Sequence, residues 1–391
     1  MSMTELLYLD DPCLYEFKAT VTSTDGEWVV LDRTAFYPGG GGQEADTGVI
    51  EGLDVTEIQK VNGIGHRVPE HRFHVGQVVE CRLDWERRLD LMRGHTAEHM
   101  LFSALSHQLK DLKLVKISIT PERKSVIVTG DIDWGTIITI QRELNQAISH
   151  DMDVEAVWVN RSDPVLEGTR VKLNRIQGDS VRIVRIGEFD AAACAGTHVP
   201  TTGMIGRVLV TKMTAAKPVG SVEIEFEVGD RAVNRGLDLA SIALMTSDTM
   251  GSHPEDLFKA VENLRSVAES SRESLRQCSR QILDSLQPEE VNGINLYSGI
   301  YHGVDRRVVL AAANHMVRRE RTACILICVE DTMMMIMARS DDLNFDCRDL
   351  LRRALEPIKG RSGGKPEFAT GGSPSIDGAQ EILEGAISLL R

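Results

Sequence analysis

Residues 84–109 read Asp-Trp-Glu-Arg-Arg-Leu-Asp-Leu-Met-Arg-Gly-His-Thr-Ala-Glu-His-Met-Leu-Phe-Ser-Ala-Leu-Ser-His-Gln-Leu. Within them Leu89, Met92, Ala97, Met100, Leu101, Ala104 and Leu105 recur at steps of three and four, the spacing of an apolar stripe along a helix. The residues before this stretch have another texture. Short β-type runs at 17–22, 28–31, 55–61 and 78–83 are separated by turn signals such as Thr24-Asp25-Gly26. The change of period near residue 85 predicts a small barrel-like β unit over 1–88 that ends where a helix begins. Beyond that helix, strand patterns at 115–119 and 125–129, a helical pattern over 137–149 and strand patterns at 154–159, 181–186 and 208–210 predict an α+β core over 89–245.

Further along, Ser252-His253-Pro254-Glu255 fits a capping box, in which the serine hydroxyl and the glutamate satisfy free helical N–H groups. Leu257, Val261, Leu264, Ala268, Ser271, Leu275, Cys278 and Ile282 then alternate steps of four and three, an imperfect a/d seam. This predicts a helical arm over 250–287, serving as a hairpin or dimer contact or lying as an amphipathic helix on its own domain. Over 288–391 the pattern reads strand 308–312, helix, strands 323–329 and 333–338, helix 347–358 and a closing helix from Ile376, an α/β sheet. Met333 to Met335 read as strand core. Gly360-Arg361-Ser362-Gly363-Gly364-Lys365-Pro366, with Gly371-Gly372-Ser373, reads as a glycine-rich loop between the last helices. The fold class expected is α+β multidomain.

The composition is that of a globular chain: 391 residues, 42% hydrophobic and 26% charged, with no apolar run near the roughly 20 residues that span a bilayer. An acidic N-terminal segment without an apolar core predicts a cytoplasmic location and no membrane partner. Seven scattered cysteines predict reduced thiols. A net charge of −14 argues against a nucleic-acid partner when averaged over the chain. Locally the balance reverses: Arg348, Arg352, Arg353, Lys359, Arg361 and Lys365 face only Asp349 and Glu356 in that stretch, and 205–221 carries Arg207, Lys212 and Lys217 with no acid.

His95-Thr96-Ala97-Glu98-His99 places two imidazoles four apart on a helix, within reach of one ion. Cys194-Ala195-Gly196-Thr197-His198 adds a thiolate and an imidazole on a tight turn, and three nitrogens with one sulfur suit tetrahedral zinc. Two uses stay open: a closed site that staples helix to strand, or a catalytic one in which a ligand yields to water or substrate. His-x-x-Glu-His is also an inverted metalloprotease pattern, with Glu98 as the activating carboxylate. The paired cysteines of nucleobase deaminases are absent. Gly39-Gly40-Gly41-Gly42-Gln43 reads as bare backbone that a ligand approaches closely beside an amide, or as a flexible hairpin tip.

Taken together, several motifs resemble those of one family. They are Phe36-Tyr37-Pro38-Gly39-Gly40-Gly41-Gly42-Gln43 with Asp46 and Gly48; Asp84-Trp85-Glu86-Arg87-Arg88 leading through Met92-Arg93 to His95 and His99; Val184-Arg185-Ile186-Gly187; and Cys194 to His198 with Thr202, Ile205 and Gly206. They resemble the editing domain of alanyl-tRNA synthetase and the AlaX trans-editing proteins. Gly360, Gly363-Gly364-Lys365-Pro366, Ala369 and Gly371-Gly372 resemble the glycine-rich motif of the synthetase's DHHA1-like C-terminal domain, found also in DHH-type phosphoesterases. The resemblance runs along essentially the whole chain.

It implies a long-form AlaX protein holding one zinc ion on His95, His99, Cys194 and His198. The implied reaction is hydrolysis of serine, or glycine, from mischarged tRNA(Ala). It gives Gln43 the catalytic position facing the aminoacyl end, Gly41, Gly42, Gln43 and Thr197 substrate contacts, and Arg361 and Lys365 tRNA contacts, in a homodimer formed through the arm or the C-terminal domain. Only about 33 residues precede Thr34, so no aminoacylation is expected. Ala195 stands where many relatives have glycine, and Lys365 where arginine is more usual. The rival readings are a tRNA-binding module with structural zinc and a zinc peptidase.

Overall fold

The computed structural model describes residues 4–61, 63–171, 173, 176 and 178–390. The chain divides into two compact units, Met1–Met245 and Thr246–Arg391.

The first unit opens with a seven-stranded sheet. Its order is Leu53–Val55, Gly48–Ile50, Val78–Leu83, Glu16–Asp25, Trp28–Leu31, Gly63–Arg67 and Glu57–Val61. The two edge strands are successive stretches of chain broken only at Thr56, so the sheet curls toward closure as a near-barrel. Alternating side chains fill it: Val21, Val29, Leu31, Ile50, Val79, Cys81 and Leu83 are buried together. The expected β unit is therefore present.

Asp84 caps the next element, its carboxylate accepting the Arg87 N–H at 3.1 Å, and the helix runs Trp85–Gln108. The apolar spacing suggested one core-facing stripe, but Leu91, Met92 and every residue from Gly94 to Leu105 are buried. A helix buried on most of its surface holds its histidines in a fixed place. It packs against the helix Trp134–Ser149 and a four-stranded antiparallel sheet ordered Lys113–Ile119, Lys124–Thr129, Ser221–Val228 and Val208–Ala216. A second sheet, Val154–Asn160, Ser180–Ile186 and Asp190–Ala193, delivers the chain to Cys194. Sequence patterning missed the 22-residue helix Gly229–Met250, within which the two units divide.

The helix Leu257–Asp284 occupies the expected arm, but the capping box is not formed. Pro254 instead opens a 3₁₀ turn, Pro254–Asp256, and Ser252 turns back to Ser247, donating its N–H to the Ser247 carbonyl at 3.0 Å. Of the seam residues, Val261, Leu264, Leu275 and Ile282 are exposed; the helix buries only Ser279 and Leu283, so only its C-terminal part docks on its own domain, where the Ser279 hydroxyl accepts the Asp305 N–H at 2.8 Å.

The six-stranded sheet beyond is ordered Glu289–Val291, Ile294–His302, Thr322–Val329, Met333–Arg339, Phe368–Ser373 and Arg361–Lys365. Thr322–Val329 is buried along its whole length because helices cover both faces: Ile325 and Ile327 point to one core, Cys324 and Leu326 to the other. Met333 and Met335 are core, as expected. Two expectations are corrected. The run 308–312 lies in a helix, Arg306–Met316, because the Asp305 carboxylate caps it by accepting the Arg307 and Val308 N–H groups, and Val309, Ala313 and Met316 form its buried face. The glycine-rich segment 360–373 is not a loop but an antiparallel hairpin, Arg361–Lys365 with Phe368–Ser373. The closing helix runs Ala379–Ser388. Among the described residues no helix is long and apolar enough to cross a membrane.

Candidate metal centre

The structure brings His95, His99, Cys194 and His198 together, with one ligand atom from each lying within 4.8 Å of the others. The three imidazoles are 2–4% exposed. Nothing in the sequence distance of about a hundred residues fixes this; the helix supplies one pair and the turn after Asp190–Ala193 the other.

The fit to a metal is tested by the other ring nitrogen of each histidine, because a metal ligand ordinarily donates that N–H to an orienting acceptor. His95 Nδ1 lies 2.7 Å from Gln43 Oε1, His99 Nδ1 3.1 Å from Asp190 Oδ2, and His198 Nδ1 3.2 Å from Thr96 Oγ1. Each acceptor is itself fixed. Gln43 Oε1 also accepts the Thr197 N–H at 3.1 Å, while its Nε2 donates to Thr197 Oγ1 at 2.7 Å. Asp190 accepts from Arg170 at 2.8 Å. The Thr96 hydroxyl donates to the Met92 carbonyl at 2.8 Å, leaving its oxygen to accept from His198 and from the Val199 N–H. His95 and His198 thus turn Nε2 toward Cys194 Sγ, at 3.5 and 3.4 Å. The donor set and its supports fit zinc.

Electrostatics prepare the thiol and His198 for a metal, while His99 holds a proton that a metal would displace. Burial pushes the Cys194 thiol up, but His95 and His198 together draw it well below its ordinary value, toward the thiolate that binds metal. Burial, reinforced by His95, pushes His198 down to about 3. Burial opposes a charge on His99, yet the bonds to Asp190 and Cys194 raise it to about 10. Asp190 keeps its charge against burial through His99 and Arg170.

The cluster opens on a cavity of about 770 Å³ lined by His95, His99 and Cys194, by Gly40, Gly41 and Ala195, and by apolar side chains including Phe102, Leu114 and Ile117. Gly41 is thus on the wall. Gln43 and Thr197, 3% and 0% exposed, stand behind the ligands and do not line it; Gly42 packs on Ile117. Glu98 is fully buried, with neither oxygen hydrogen-bonded among the described residues, and it too is off the wall. Burial raises its pKa. Arg361 and Lys365 share one face of an exposed edge strand in the second unit. Of the basic stretch around them, Arg348 and Arg352 are engaged by Asp346 and Asp349.

Sequence reasoning gave no role to Asp190, Arg170 or Thr96. Thr96 sits between the histidines, and Asp190 lies four residues before Cys194, so adjacency to the ligands is the only signal either carried. Asp46 and Arg88, quoted only as motif residues, anchor the glycine segment. The Arg88 guanidinium is fully buried, ion-paired with Asp46 and bonded to the Ala35 carbonyl at 2.5 Å, while Asp46 accepts the Tyr37 N–H at 2.6 Å.

Sequence comparisons place this architecture among the aminoacyl-tRNA synthetase domains. Residues 11–87 match the family model of class II (A) tRNA synthetases, 181–221 that of the second additional domain of threonyl and alanyl tRNA synthetases, and 293–391 the DHHA1 domain. Along its whole length the chain resembles an AlaX-type editing protein related to alanyl-tRNA synthetase. It is 28% identical to the alanyl-tRNA editing protein AlaX-L of Pyrococcus horikoshii over 409 residues, covering 100% of this chain and 99% of that one. It is 29% identical to the alanine–tRNA ligase of Pyrococcus abyssi over 99% of its length, and 30% identical to that of Pyrococcus furiosus over 97%. The chain spans only 44% and 43% of those two ligases.

Proposed function

We propose that the chain is a zinc-dependent deacylase that hydrolyses, in trans, the ester joining serine or glycine to tRNA(Ala). The observation that carries this reading is the four-ligand cluster opening on a cavity, in a chain alignable end to end with an AlaX-L editing protein. His95, His99, Cys194 and His198 would hold the zinc, which supplies a Lewis acid that polarises a carbonyl or a water. The protein's own groups do the rest. Gln43, Asp190 and Thr96 each fix the ring of one ligand. Phe102, Leu114 and Ile117 keep the cavity wall dry, and Gly41 admits the ester close to bare backbone. An aminoacyl ester is reactive enough that orientation and electrostatic support suffice for turnover. Gln43 acts through His95 and through Thr197.

The same reading assigns Arg361 and Lys365 to tRNA contact, the exposed arm seam to a homodimer, the domain limits to 88, 245 and 287, and the protein to the cytoplasm. A peptidase would need Glu98 at the reacting water, and Glu98 does not line the cavity. The test is release of amino acid from seryl-, glycyl- and alanyl-tRNA(Ala), with and without chelator. The expected result is chelator-sensitive release of serine or glycine with alanyl-tRNA spared. Tight tRNA binding without release would instead establish a binding module with structural zinc.

A further inference from the structure

The cavity over the cluster has a charge pattern that metal ligation does not account for. Besides the ligands and Tyr37, its ionisable lining among the described residues is Lys60, Lys113 and Arg170, with no carboxylate, in a chain carrying 58 acidic and 44 basic residues. Arg170 is committed: it pairs with Asp190 at 2.8 Å and lies 4.7 Å over the Phe102 ring. Lys60 and Lys113 are not. Both are exposed, and among the described residues neither ammonium has an ion pair. Lys18, Lys124 and Lys212 of the same unit each have a carboxylate partner, at 2.8, 2.7 and 3.9 Å, while Lys110, Lys116 and Lys217 have none among the described residues; what sets Lys60 and Lys113 apart is their place on the cavity wall.

The two lysines come from separate parts of the unit. Lys60 belongs to the edge strand Glu57–Val61 of the near-barrel, and Lys113 opens the strand Lys113–Ile119 beside the long helix. Two exposed ammonium groups on the wall of one cavity, with no carboxylate among its described lining, favour an anionic ligand there. A concave, low-dielectric wall focuses the resulting positive potential on the cavity. Phe102, Leu112, Leu114 and Ile117 supply an apolar surface in the same wall, suited to a nucleobase.

We propose that Lys60 and Lys113 bind backbone phosphates next to the terminal nucleoside, so that the cavity takes an aminoacyl oligonucleotide and not a free aminoacyl ester. This rests on the deacylase reading and names the part of the substrate that the metal ligands do not touch. The lysines are substrate-positioning residues, selecting for phosphodiesters by charge.

The test compares seryl-tRNA(Ala) with 3′-seryl-adenosine, which carries the same ester and nucleoside but no phosphate, using the full-length zinc-loaded protein. For Lys60→Ala and Lys113→Ala, kcat/KM on seryl-tRNA should fall about tenfold more than on seryl-adenosine, with the difference carried in KM. The log–log salt dependence of tRNA binding should weaken by about 0.7 per lysine removed. Lys60→Arg and Lys113→Arg should restore most of the loss, which a purely structural role would not produce. Equal losses on the two substrates, or an unchanged KM for seryl-tRNA, would overturn the inference while leaving the deacylase reading intact. A wild-type protein that hydrolyses neither substrate would overturn both.

Discussion

The two glycine-rich stretches share a composition and differ in what they use it for. In the first unit Gly39, Gly40, Gly41 and Gly42 all have positive φ, at 78, 127, 63 and 96°. At Gly42 a Cβ would also stand 2.7 Å from the Ile117 side chain and carbonyl. That backbone path ends at Gln43, whose amide orients His95 of the histidine–cysteine cluster. In the second unit Gly371 and Gly372 are ordinary strand residues paired in a sheet. Gly372 is required for closeness: a Cβ there would meet the Met333 carbonyl at 2.3 Å. Gly371 would press on Leu355 Cδ1 at 2.5 Å. One stretch needs glycine to turn the chain toward chemistry; the other needs it to let layers approach.

The largest effect that sharpens this contrast is at the centre the first stretch serves. Cys194→Ala should lower seryl-tRNA deacylation by more than about 100-fold, with loss of bound zinc by atomic absorption; full turnover with stoichiometric zinc would break the link between glycine segment and metal. Gly42→Ala should follow. The strained φ and the clash with Ile117 displace Gln43, and with it His95, so zinc affinity should fall about tenfold, read by competition with a chelator.

Gly372→Ala should do the reverse, destabilising the second unit by about 1–3 kcal/mol through overpacking while hydrolysis of seryl-adenosine continues at the wild-type rate. Gly363→Ala, where nothing lies within 4 Å, should be silent in both measurements. If Gly372→Ala instead abolished zinc binding, the division of labour would be wrong.

The smallest effect concerns pH. His66 is fully buried, with Nε2 2.9 Å from the Thr34 hydroxyl, which in turn accepts the Phe36 N–H at 3.1 Å where the glycine segment begins. Burial pushes His66 down to about 4 from an ordinary 6.5. The unfolded chain therefore takes up this proton first, so stability is fully present above the unfolded value and is lost as pH falls toward 4. At pH 5 the loss should be about 1–2 kcal/mol, seen by urea titration as a slope that His66→Gln flattens. An identical pH slope in the two proteins would remove His66 from the support of the segment.

Much of this was legible beforehand, for identifiable reasons. The strands at 28–31 and 78–83 and the helix after Asp84 carry strong periodicity and a capping residue, and they stand where expected. The run Val308-Val309-Leu310-Ala311-Ala312 did not betray its helix, since β-branched and small residues serve either state and a single cap at Asp305 tips the balance. The box at Ser252 failed for the opposite reason: its motif is local, and the serine bonded Ser247 instead. The helix Gly229–Met250 went unread because its apolar positions, among them Leu237, Ile242 and Met245, are largely exposed and form no core stripe.

At the histidine–cysteine cluster the residue types and their pairing were written in the sequence, because a helix fixes its i and i+4 neighbours and a tight turn fixes Cys194 near His198. That the two pairs meet was decided by packing of the long helix against the sheet that ends at Ala193. Local dihedrals set the reach of a few residues, whereas bringing groups a hundred residues apart within hydrogen-bonding range depends on burial of the whole unit. The same holds for the supports. Asp190 and Thr96 carried no signal of their own, and Gln43 stood out only by its motif; the tertiary structure gives each a histidine to hold, and leaves Lys60 and Lys113 on the cavity wall with no counterion among the described residues.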